Sequence, residues 1–147
     1  MTDRGPPLRT SNADARRRAH NAIDAGDRHL RDGFADRRKL SAALSAYRRA
    51  ADIAPDIPDP LLRQAIVLVA LDREEAAARA IGGIASIDPR LSDRVADEGM
   101  LALRKISGDR DHDADPDPTF AWLAERWNGR WHPETAGLAA MPPAGDR

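Results

Sequence analysis

The 147-residue sequence contains no cysteine, which excludes a disulfide framework, a thiol nucleophile and any cysteine-ligated zinc or iron–sulfur centre. Aromatic residues make up only 4% of the chain, so a core has to be assembled from alanine, leucine, isoleucine and valine. Lysine is almost missing: Lys39 and Lys105 stand against 21 arginines, and a formal net charge of −1 excludes a globally basic nucleic-acid binder. No apolar run approaches the roughly 20 residues needed to cross a bilayer. The most apolar stretch, 61–71, is interrupted by Arg63 and Gln64. The segment from Met1 to Pro7 has charge without the apolar stretch of a secretory signal. These absences lead us to expect a soluble, cytoplasmic protein that does not engage a membrane.

Catalytic and cofactor signatures are missing as well. His20, His29, His112 and His132 are scattered, with no zinc-binding spacing among them. Alternating aspartates from Asp109 to Asp117 suggest a calcium loop, but the required glycine and the closing glutamate are absent in either register. A solvated acidic linker is the better reading. Neither phosphate-binding glycine signature occurs, and serine and threonine have no His/Asp partner at a recognisable spacing. We therefore expect no enzyme activity, no catalytic residue, no cofactor and no metal.

What is present reads as helix. Alanine and arginine are abundant, and no segment alternates with period two for long enough to make a strand. After a flexible tail over 1–11, a first helix is expected from Asn12 to about Ala35. Arg37–Lys39 make a turn, and a second helix runs from Leu40 to Ile53 before Pro55. Asp59-Pro60 opens a third that reaches Leu71, Asp72 caps a fourth that ends before Pro89, and Ser92 or Asp93 opens a fifth that stops at Gly108. The fold class is all-α. Charge is uneven, +5 over residues 1–54 and −4 over 92–147. Solvated faces account for this. A polyanion-binding surface on Arg16–Arg18 and Arg37–Lys39, or head-to-tail contact between copies in a homo-oligomer, is the sharper alternative.

A 34-residue repeat underlies the pattern. Ala43, Tyr47, Ala50 and Pro55 overlay Ala77, Ile81, Ile84 and Pro89, and Leu30 and Phe34 fall opposite Gln64 and Leu68. This spacing resembles the tetratricopeptide repeat, a helical hairpin that stacks into a solenoid. The resemblance covers units at about 24–57 and 58–91, with a capping helix over 92–107. Asp27 and Arg31 stand where that family prefers a large apolar and a small residue. An ordinary antiparallel bundle is the competing architecture.

The resemblance implies a non-catalytic protein-interaction module, a small adaptor or accessory subunit. Its partner would be an apolar peptide or helix bound in a concave groove. The groove residues it implies are Arg28 and Asp32 in unit one and Leu62, Ile66 and Val69 in unit two. A secretion-type chaperone, as in bacterial export systems, is the alternative. Helix three is apolar almost all round, so something must cover its concave side. A further helix is expected over 118–129, after an acidic linker at 108–117 and before a flexible tail at 130–147. Asp117-Pro118 starts it and Gly129 ends it. Phe120, Leu123, Ala124 and Trp127 share one face, with Trp122 and Trp131 off it. Phe120, Trp122 and Trp127 are candidate docking anchors. They dock on this chain's own domain or on a partner, or the segment stays disordered.

Overall fold

The computed structural model describes residues 5–32, 36–107 and 118–131, and for 5–12 and 118–120 it describes the backbone alone. Among the described residues there are seven helices and no strand: α1 Gly5–Asp32, α2 Arg37–Ile53, α3 Asp59–Ala70, α4 Glu74–Ile87, α5 Pro89–Asp93, α6 Val95–Ser107 and α7 Pro118–Trp131. The protein is all-α. The expected linker 108–117 and the tail beyond Trp131 lie outside the described residues, as do Gly33–Ala35.

Boundaries shift where two signals compete. The segment 5–11, expected as tail, forms the first turns of α1; Pro6 and Pro7 fit there because the first helical N–H groups have no partner to lose. Arg37–Lys39 belong to the first turn of α2 rather than to a turn, because Asp36 supplies an N-cap whose side chain accepts from the Arg38 N–H at 2.9 Å. Asp72 does not cap α4. It sits at φ 64° just beyond α3, with the Asp72 N–H donating to Val69 O at 3.0 Å and the Arg73 N–H donating to Leu68 O at 2.8 Å. That is the Schellman termination, and aspartate is one of the few side chains that tolerates its left-handed residue. The expected fifth helix is α6, which starts at Val95, and a short helix not expected from the sequence, α5, capped by the Asp88 side chain, precedes it. Gly129 does not end α7, which continues to Trp131.

Two antiparallel hairpins, α1–α2 and α3–α4, pack through α2 and α3. Ala43, Ala50, Ala65 and Ala77 are all fully buried, as close helix approach requires. α6 departs from the expected order. Its main neighbours are α7, α1 and α3, and α4 is not among them. The helix expected to cap the end of the second hairpin thus folds back over the first helices of both hairpins and brings α7 with it.

Candidate functional site

The expected groove is filled. Leu62, Ile66 and Val69 are 3%, 1% and 5% exposed, so they are core residues and not an open binding surface. The cover is the chain's own α6–α7 hairpin. Trp127 is fully buried, its Nε1–H donates to Ala96 O at 2.9 Å, and Leu123 is buried beside it. A Cβ on Gly99 would come within 2.3 Å of the Trp127 ring, so only glycine at that position admits the indole against α6. Trp122 is half-buried against the core with the Arg126 guanidinium 4.8 Å above its ring. Of Phe120 the structure describes only its place in α7. The helix is tied to the α3–α4 junction by Arg126–Asp72 at 3.0 Å and Arg130–Glu74 at 3.2 Å.

The two remaining groove candidates separate. Asp32 is exposed at the end of α1. Arg28 lines a cleft of about 480 Å³ between α1, the start of α3 and the end of α6. From α1 the cleft also takes His20, Asp24 and Arg31; α3 contributes Asp59 and α6 contributes Lys105. Its floor is a buried pair, Asp27 and Arg63, with Arg63 Nε donating to Asp27 Oδ1 at 3.1 Å. The Tyr47 hydroxyl donates to the same oxygen at 2.5 Å. Burial above all, then the Asp27 charge and this hydrogen bond, hold the Tyr47 hydroxyl well above its usual pKa of 10.0, with Arg63 and Arg31 pulling the other way. Arg31 Nη1 reaches across to Ile106 O at 2.8 Å, satisfying a carbonyl in the last turn of α6.

The cleft was only half visible in the sequence. Asp27 and Arg31 announce themselves as departures from the repeat spacing, and Arg63 as a charge inside an apolar helix. Their convergence with Lys105 depends on α6 folding back, which no local pattern encodes. The basic N-terminal clusters are exposed and partly paired: Arg16 with Asp56 at 2.8 Å, Arg17 and Arg18 with Asp14, and Arg38 with Asp36 at 3.7 Å.

Comparison with protein-family models, with curated proteins and with solved structures returned no match. Among the described residues no cluster of His, Asp and Glu is placed to hold a metal ion, and no helix is long and apolar enough to cross a membrane.

Proposed function

We propose that the chain is a non-catalytic protein-interaction module built on two tetratricopeptide-like hairpins. In this reading its α1–α3 face is held shut by its own α6–α7 hairpin until an apolar helix of a partner takes the place of α7. The observation that supports it is the way α3 is covered. A helix apolar almost all round, broken only by Asp59, Arg63 and Gln64, finds its last neighbour in an amphipathic segment, α7, joined to the rest by a ten-residue stretch, 108–117. That is helix-in-groove recognition with the ligand carried in the same chain.

The ion pairs of α7 are weak. Arg126–Asp72 and Arg130–Glu74 involve exposed partners, worth about 0–1 kcal/mol each, so displacement is opposed mainly by the burial of Leu123 and Trp127 and by the Trp127 hydrogen bond to Ala96 O. The chaperone alternative would use the same face on an unfolded segment. The polyanion alternative draws less support, because several of the arginines it needs already have acidic partners.

The test uses the full chain carrying Trp127→Ala and a fluorescent peptide of residues 118–131. Fluorescence anisotropy should show the peptide binding the variant at least tenfold more tightly than it binds the wild type. Amide exchange in α7 of the variant should rise at the same time. A variant whose α7 exchanges freely yet ignores the peptide would sink the proposal.

A further inference from the structure

The cleft at α1, α3 and α6 takes no part in the displacement just described, and its chemistry points to a ligand of a different kind. Its floor is unusual in what it leaves unused. Asp27 Oδ1 accepts from both Tyr47 and Arg63, while Oδ2 accepts from nothing among the described residues. Arg63, 8% exposed, donates only through Nε among the described residues, and its Nη1 and Nη2 nitrogens have no acceptor there. Asp27 and Arg63 both line the cleft, so the pair is presented to whatever enters it. A desolvated ion pair is an expensive thing to bury and is weak evidence of stabilisation. Here it presents a free acceptor beside free donors at the bottom of a cavity of ligand size.

The walls repeat that pairing. Arg28 and Lys105 are cations without a partner among the described residues, and Asp24 and Asp59 are carboxylates without one. With Arg31 and the neutralised floor pair, the cleft holds one more positive charge than negative. A phosphate dianion would overshoot that balance and face Asp24 and Asp59 directly. A simple cation would meet the excess of arginine and lysine. A ligand with a carboxylate and an ammonium on one carbon satisfies both halves of the floor, and a second carboxylate cancels the residual charge.

We propose that this cleft is a binding site for an acidic α-amino acid. Its α-carboxylate bridges the Arg63 nitrogens, its α-ammonium meets Asp27 Oδ2, and its side-chain carboxylate meets Arg28 or Lys105. Bound there, the ligand joins α1 and α3 to the last turn of α6, next to the Arg31–Ile106 contact.

The experiment is a ¹H–¹⁵N titration of the full chain with L-glutamate, glutarate and inorganic phosphate at fixed pH and ionic strength. Glutamate should give saturable shifts confined to amides of residues 24–31, 59–63 and 104–106. Glutarate, which lacks the ammonium, and phosphate should bind at least tenfold more weakly. Removing both exposed cations offered to the side-chain carboxylate, in the double variant Arg28→Gln/Lys105→Gln, should weaken glutamate at least fivefold without changing the helical circular dichroism. Scattered or non-saturating shifts would overturn the proposal. So would glutarate or phosphate binding as tightly as glutamate, or an Arg28→Gln/Lys105→Gln double variant that binds normally. The α7 peptide experiment is read by a separate signal, so either idea can fail alone.

Discussion

Tyr47 is the chain's single tyrosine and sits with its ring against Gly26 and its hydroxyl on a buried carboxylate. Its pKa is raised in the folded state, so the native protein holds the phenolic proton more tightly than the unfolded chain does. The stability this confers is complete below about pH 10 and is lost as pH rises past it, at up to ~1.4 kcal/mol per pH unit. Urea unfolding between pH 9 and 11 should show that slope in the wild type and a flatter curve in Tyr47→Phe. At pH 7 the variant should lose about 1–2 kcal/mol, since Asp27 keeps Arg63 but loses its other donor. Parallel curves for the two proteins would mean the hydroxyl is not shielded. At this scale the sequence was partly legible. Asp27 and Arg31 stood out against the repeat spacing, but the partner of Asp27 lies 36 residues away and the acceptor of Arg31 lies 75 residues away.

Helices bounded by proline were readable because proline acts locally: α2 ends before Pro55 and α4 ends before Pro89, as the spacing indicates. Asp72 was misread because aspartate suits two opposite roles, capping the start of a helix or occupying the left-handed residue after one ends. Here α3 claims it, and α4 begins after Arg73 with no side-chain cap. The positive φ is a backbone cost that glycine would not bear, and the Arg126 contact it would lose is exposed and weak. Asp72→Gly should therefore raise stability by up to about 1 kcal/mol, and Asp72→Ala should lower it by about 1 kcal/mol. Thermal melts of the two variants should move in opposite directions from the wild type.

At the scale of the whole molecule, an α3 apolar almost all round required a cover, and the spacing of Leu123 and Trp127 identified a helix able to supply it. What local pattern could not supply was the path of α6, which leaves α4 and lies across α1 and α3. That path is set by tertiary fit, and Gly99 is where the fit is tightest. Its missing side chain is the space the Trp127 indole occupies. Gly82, by contrast, lies in α4 with nothing within 4 Å of where a Cβ would stand. The two glycines therefore make opposite predictions for the same substitution. Gly82→Ala should stabilise by about 0.5–1 kcal/mol through helix propensity alone. Gly99→Ala gains the same propensity but must expel the ring or bend α6, for a net loss of about 1–3 kcal/mol. Because α6 and α7 complete the burial of α3, that loss should appear in the midpoint of global denaturant unfolding, together with faster amide exchange in α7. If Gly99→Ala loosened α7 while the global midpoint stayed put, the hairpin would be an appendage on a core that stands without it.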